Sequence, residues 1–203
     1  MKANKMPVIV WDVDDVLNNL MHSWFEQRWL ISHPECSLRY GDIVENPPHQ
    51  ILGVSLNEYL ESLDEFRLSG DYQLLIPNQE ILIWFKKFGN RFRHMALTTT
   101  PLRSAPISAA WVMHYFGEWI RCFSFVPSRR EGEYLPHYDN DKVEFLAWWG
   151  RADILVDDSI AHVKAFQSMG LRAILVPQPW NDSHLTIAQT LDLLLSSAQG
   201  VES

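Results

Sequence analysis

Five short apolar runs restrict this chain more than any other feature, because each is closed by acidic or turn-forming residues and separated from the next by helix-period sequence. Val8-Ile9-Val10-Trp11 lies between Pro7 and Asp12 and reads as a strand buried on both faces. Met95-Ala96-Leu97 runs into Thr98-Thr99-Thr100 and Pro101, which reads as a strand ending in a loop. Residues 121–126, 153–156 and 172–176 complete the set. Helical patterns fill the intervals. Asn78 after Pro77 predicts the N-cap of a helix reaching Lys87, and 104–116 predicts another, closed by Gly117. Asp139 or Asn140 predicts the cap of a helix over 141–149, ended by Gly150. Ile160, Val163, Phe166 and Met169 share one face that stops at Gly170, and 184–197 is amphipathic. This alternation predicts an α/β fold: a Rossmann-like parallel sheet flanked by helices, wound with right-handed crossovers.

One stretch breaks the alternation. Residues 18–75 hold no convincing strand pattern, only helical ones over 19–31 and 55–63, interrupted by Pro47-Pro48. Ser55 and Glu58 have the spacing of a capping box. The pattern predicts a small helical cap inserted after the first strand, above the carboxyl ends of the strands, where α/β sheets bind ligands. The organisation expected is a core of 1–17 and 76–203 with a cap of 18–75. A length of 203 residues suits one domain with such an insertion.

Several classes of protein are excluded. The longest apolar runs, such as 81–85 and 145–149, have five residues, too few to span a bilayer. Residues 1–7 are too short and polar for a signal peptide, so a cytoplasmic protein with no membrane partner is expected. Cys36 and Cys122 have no metal-ligand spacing and read as unpaired thiols, and no two of the eight histidines stand four apart as zinc ligands would. The formal charge is −8, and Arg129-Arg130 is the only adjacent arginine pair, so a large nucleic acid is not an expected partner. A small anionic substrate remains compatible if a metal stands between it and the carboxylates. The sequence leaves the oligomeric state open.

The chemistry lies where the strands end. Asp12-Val13-Asp14-Asp15 follows the first strand, Thr98-Thr99-Thr100 the second, and Asp157-Asp158 the fourth, while Lys142 starts a helix. A lone Asp-x-Asp is a frequent accident; four polar clusters on one sheet edge form a site. Two carboxylates about 4 Å apart repel by about 4 kcal/mol at an effective dielectric near 20, so converging acids call for a cation. Oxygen-only ligands in a half-open site suit Mg²⁺.

The ordered set Asp12-x-Asp14, Thr, Lys142, Asp157-Asp158 resembles the four motifs of the haloacid dehalogenase (HAD) superfamily of aspartate-dependent phosphohydrolases, over about 1–17 and 76–180. The resemblance implies that Asp12 is the nucleophile and that Asp14 is the acid for the leaving oxygen and then the base for water. It implies that Thr99, with Thr100 as neighbour, and Lys142 hold phosphoryl oxygens. It also implies a Mg²⁺ site made by the Asp12 carboxylate, the Asp14 carbonyl and an acid of the last pair. Adjacent strand residues face opposite ways, and Ser159 aligns with the family's Gly-Asp-Ser form, which favours Asp158 as ligand and puts Asp157 behind it. Asp15 stands where many relatives carry glycine.

Within the superfamily the chain resembles the small 5'-nucleotidases of (deoxy)nucleoside monophosphates. Thr99-Thr100-Pro101-Leu102-Arg103 is similar to their Thr-Ser-Pro-x-Lys segment, which implies that Arg103 is a phosphate contact and a nucleotide the substrate. Leu20 stands where those enzymes place a base-stacking aromatic; Trp24, Phe25, Trp29 or Tyr59 are the candidates to replace it. The alternative is a phosphatase of sugar phosphates or other small phosphomonoesters. A silent phospho-ligand binder is disfavoured by the presence of Asp14. A signalling receiver domain is disfavoured because the Asp-Asp pair comes last.

Overall fold

A computed structural model of the chain describes residues 6–199. Its sheet has five strands in the order β3-β2-β1-β4-β5: β1 Val8–Trp11, β2 Arg93–Thr100, β3 Ile120–Pro127, β4 Ile154–Asp157 and β5 Arg172–Leu175. Every pairing is parallel, so each connection must cross over, and helices supply the crossovers.

Side-chain alternation along the central strand explains the layers. Ile9 and Trp11 face one side and pack with Ile81, Trp84 and Phe85 of α5 (Gln79–Phe88), Trp111 and Phe116 of α6 (Ala105–Phe116) and Leu194 of α9 (Ile187–Gln199). Val10 faces the other side with Leu97 and Leu155, against Leu146 of α7 (Lys142–Trp149) and Phe166 of α8 (Ile160–Ser168). A strand covered on both faces has no polar face, as a run of four apolar residues requires. Trp11 spends its one donor on His94 Nδ1 (3.0 Å), so His94 carries its proton on Nε2 and donates to the Gly89 carbonyl (2.9 Å). Burial lowers the His94 pKa to about 4, and the ring is neutral.

All five expected strands are present, and the expected helices differ at their ends. Asp141, not Asp139 or Asn140, caps α7: its Oδ1 accepts from the Val143 and Glu144 amides (2.8 and 2.9 Å). Asn140 is already committed to the Glu144 carboxylate through its own amide (2.8 Å). Met169 lies past the end of α8 and is 43% exposed, so it does not continue the apolar face. The last helix begins at Ile187 rather than 184.

Between β1 and α5 the described chain has no strand. Its first helical stretch is not uniform: α1 (Leu20–Trp24) and α2 (Leu30–Ser32) flank a wider π turn, Phe25–Trp29. The second, α3 (Leu56–Leu68), runs five residues beyond the expected end and is followed by the unexpected short α4 (Gly70–Gln73). Ser55 caps α3 by accepting from the Glu58 amide (3.2 Å). Trp24, Trp29 and Tyr59 pack together in its interior, ring centroids 5.3–5.4 Å apart.

Candidate active site

The ends of β2, β1 and β4 lie side by side at the middle of the sheet, and the polar clusters are carried there. The chain leaves β1 at Asp12, whose amide still donates to the Val156 carbonyl (2.9 Å). It then closes a tight loop in which the Asn18 amide reaches the Val13 carbonyl (3.1 Å). Asp15 takes a left-handed conformation, φ +62°. Glycine adopts that geometry most easily, and aspartate is one of the few other residues to do so readily. The Asn18 side chain fixes the loop by accepting from the Asp15 and Leu20 amides (3.2 and 3.0 Å).

Lys142, 1% exposed at the start of α7, joins β1 to β4. Its ammonium lies 2.5 Å from Asp12 Oδ2 and 2.9 Å from Asp157 Oδ2. Burial alone would lower the lysine pKa, but the two carboxylates outweigh it and raise it, so the charge is permanent. Burial likewise raises Asp157, yet Lys142 and His162 bring it down to about 2. Asp157 also accepts from the Ser159 amide (2.8 Å), so both its oxygens are occupied. Asp12 is raised to about 6 by burial against the pull of Lys142. Asp158 is pushed well above the usual carboxylate range by burial and by Asp157, Asp12 and Asp15.

Oxygens of Asp12, Asp157 and Asp158 lie within 4.8 Å of one another. Three buried acids share one lysine there, and the donor set is all oxygen, so the site fits a hard divalent cation. Asp158 has one oxygen on Trp180 Nε1 (2.8 Å), which leaves the other for an ion. Asp12 and Asp158 face a cavity of about 530 Å³, whereas Asp157 is fully buried behind them.

Asp14 lines the same cavity. Its Oδ1 accepts from the Tyr72 hydroxyl (2.8 Å) and Asn18 Nδ2 (3.1 Å), and its Oδ2 from Arg67 (3.1 Å). Tyr72 is completely buried and also meets Ser108 Oγ at 3.0 Å.

No protein-family model and no curated protein sequence matches the chain. Solved structures do. A candidate β-phosphoglucomutase from Thermotoga maritima superposes with a TM-score of 0.54 at 19% identity, over 94% of this chain and 99% of that one. Protein Tyrosine Kinase A of Mycobacterium tuberculosis gives 0.64 at 14% identity, over 97% and 99%. A haloacid dehalogenase-like family hydrolase from Streptococcus pneumoniae gives 0.57 at 11% identity, over 92% and 90%. The fold is HAD-like. At these identities the likeness concerns the fold.

Within this HAD-like fold, Asp12, Asp14, Thr99, Lys142 and Asp158 all line the cavity, joined by Thr98. Two expected phosphate contacts lie elsewhere. Thr100 is completely buried, does not line the cavity, and its hydroxyl has no partner among the described residues. Arg103 is half exposed and donates to Asp64 (2.9 Å), a stronger attraction than open water offers it. Of the four aromatic candidates near Leu20, Tyr59 alone lines the cavity; Trp24, Phe25 and Trp29 fill the interior of the helical segment. Leu20, Met21, Leu56, Leu60 and Leu63 line the cavity as well, with Asn46, Pro47 and Arg67.

Sequence reasoning missed an ionic hub. Asp64 of α3, 1% exposed, accepts from Arg130 (2.6 and 2.9 Å), Arg103 (2.9 Å) and Arg67 (3.4 Å). The i, i+3 spacing of Asp64 and Arg67 on one helix was the available signal. Tyr72 and Trp180 carried none, since an isolated aromatic ordinarily reads as core. Among the described residues, no helix is long and apolar enough to cross a membrane.

Proposed function

We propose that the chain is a Mg²⁺-dependent phosphomonoester hydrolase working through an aspartyl-phosphate on Asp12. The observation that carries this reading is the meeting of Asp12, Asp14, Asp158 and Lys142 in the lining of one cavity, with Lys142 on Asp12. Asp12, Asp158 and the Asp14 main-chain carbonyl would hold the ion. Bound there, Mg²⁺ would neutralise the carboxylates and the approaching phosphate.

The residues divide the work as follows. A carboxylate oxygen of Asp12 attacks phosphorus in line, and the phosphorus–ester oxygen bond breaks as the new bond forms. Asp14 gives its proton to the departing oxygen, then takes one from the water that attacks the aspartyl-phosphate and frees Asp12. Lys142 and Thr99 hold phosphoryl oxygens as charge builds on them. Asp157 keeps Lys142 aimed at Asp12 from behind (2.9 Å). Residues 18–75 act as a cap over the core of 1–17 and 76–203, and close the cavity from water.

The substrate proposed is a sugar phosphate or another small phosphomonoester, in a cytoplasmic setting. Likeness to the candidate β-phosphoglucomutase supports this over the nucleotide reading, which loses its Arg103 phosphate contact. The nucleotide reading keeps one observation in its favour: the Tyr59 ring lines the cavity together with Leu20, Leu56, Leu60 and Leu63, and a base could stack there. Hydrolysis of p-nitrophenyl phosphate tests the shared chemistry. Activity is expected to vanish with a strong chelator and in Asp12→Asn, and to return with Mg²⁺ in the parent alone. Turnover that survives either change contradicts the proposal.

A further inference from the structure

The chemistry above uses the acidic pole of the cavity and leaves its basic pole without a task. Arg67 and Arg130 both line the cavity, one from α3 and one from the loop after β3. Their side chains are only 9% and 14% exposed. The two differ in how fully they are used. Arg130 has every nitrogen engaged: its Nε and one terminal nitrogen fork onto Asp64, and the other reaches the Ser128 hydroxyl (2.8 Å) and the Ser128 and Arg129 carbonyls (both 3.2 Å). Arg67 does not. Of its five N–H donors, one meets Asp14 at 3.1 Å and one meets Asp64 at a long 3.4 Å, while its buried Nε has no partner.

Buried guanidinium donors without acceptors are costly, and native proteins keep few of them. The acids nearby do not meet the need. Asp64 is shared among three arginines, and Asp15 turns its Oδ1 to the Met21 amide (2.8 Å). Asp14 must serve the leaving oxygen during the reaction and cannot at the same moment be a full partner to Arg67. The Arg67 Nε is shut off from the cavity, so the acceptor still to be added meets the terminal nitrogens of this cavity-lining side chain, and a substrate brings it. Its place follows from distance. Arg67 lies 3.1 Å from the oxygen of Asp14, and Asp14 must touch the ester oxygen, so the acceptor sits within a few bonds of that oxygen.

We propose that the alcohol half of the natural substrate carries a second anionic group, a carboxylate or a second phosphate, close to the ester oxygen and held by Arg67. Arg130 adds positive field, and Asp64 keeps both arginines in place. This rests on the phosphatase reading and narrows it. A nucleoside monophosphate has an uncharged sugar at this point and would leave Arg67 unanswered.

The test compares kcat/KM across phosphomonoesters with matched metal. 2-Phosphoglycolate and 3-phosphoglycerate supply a nearby carboxylate, fructose 1,6-bisphosphate a second phosphate, and glycerol 2-phosphate and deoxyguanosine monophosphate an uncharged alcohol half; p-nitrophenyl phosphate reports bare chemistry. The best anionic substrate is expected to exceed the best uncharged one by about 10- to 100-fold. Arg67→Gln should reduce that ratio to near one, mainly through KM of the anionic substrate, and Arg67→Lys should recover part of it. The ratio within each variant is the readout, so a general loss of rate through Asp14 does not imitate the result. Equal or better turnover of the uncharged esters, or an undiminished ratio in a folded Arg67→Gln protein, overturns the inference while the phosphatase reading stands. Failure of the parent protein to hydrolyse any ester, p-nitrophenyl phosphate included, overturns both.

Discussion

At the scale of single residues, the two acids of the Asp12-x-Asp14 motif have opposite surroundings. Asp12 faces Lys142 at 2.5 Å and its acidic neighbours, the surroundings that the proposed nucleophile and cation site require. Asp14 faces three donors, two from the helical segment, Arg67 and Tyr72, and one from its own loop, Asn18. Under the proposed chemistry Tyr72 is a positioning residue: it holds Asp14 and does not line the cavity. Tyr72→Phe is expected to lower kcat about tenfold and leave KM within about twofold, since it removes one hydrogen bond to the acid and changes no cavity wall. Steady-state kinetics on p-nitrophenyl phosphate checks this; a KM rise with unchanged kcat would place Tyr72 in binding instead. The acids and Lys142 were legible in the sequence because strand ends and motif order identify them. Tyr72, Asp64 and Arg130 were not. Their partners are 58 and 66 positions away, and only the packing of the helical segment on the core brings them together.

Among the elements, the strands were the most legible part. A four-residue apolar run between a proline and an acid has few other homes, and β1 occupies the centre of the sheet. Helix ends were less legible, because several polar residues compete for each cap. Asn140 lost to Asp141 through its bond with Glu144, four residues on, and the cap-forming residue types alone do not make that choice. The π turn at Phe25–Trp29 likewise depends on packing Trp24 against Trp29 and Tyr59. The contact of β1 with β2 carries a prediction of its own through His94. Its pKa is about 4 in the fold against 6.5 when free, so the fold prefers the neutral ring. The stability this gives is present above pH 6.5 and is lost as pH falls towards 4. The sign follows because the unfolded chain binds the proton first. The loss is about 3 kcal/mol. Urea unfolding at pH 7.5 and 4.5 measures it, and His94→Gln is expected to flatten that part of the profile. An identical loss in the variant would assign it to other groups.

For the whole molecule, the cavity is lined from both the strand ends and the helical segment, and Asp64 ties the two together. It receives Arg67 from its own helix, Arg103 from the turn before α6 and Arg130 from the loop after β3. Asp64→Ala leaves buried guanidiniums without a counter-charge and should cost about 3–5 kcal/mol of stability in urea unfolding. A cost under about 1 kcal/mol would make the hub a surface feature. The helical stretch after the first strand was visible in the sequence. The ionic tie was not, since it joins residues that lie far apart along the chain. The central claim, that Asp12 captures the phosphoryl group, has a direct chemical test. Borohydride added during turnover of p-nitrophenyl phosphate reduces an acyl-phosphate to the alcohol, and peptide mass mapping locates the change. The account predicts reduction at position 12 alone, dependent on Mg²⁺ and substrate. Continued turnover with no reduction at Asp12, or reduction at another carboxylate, would contradict it.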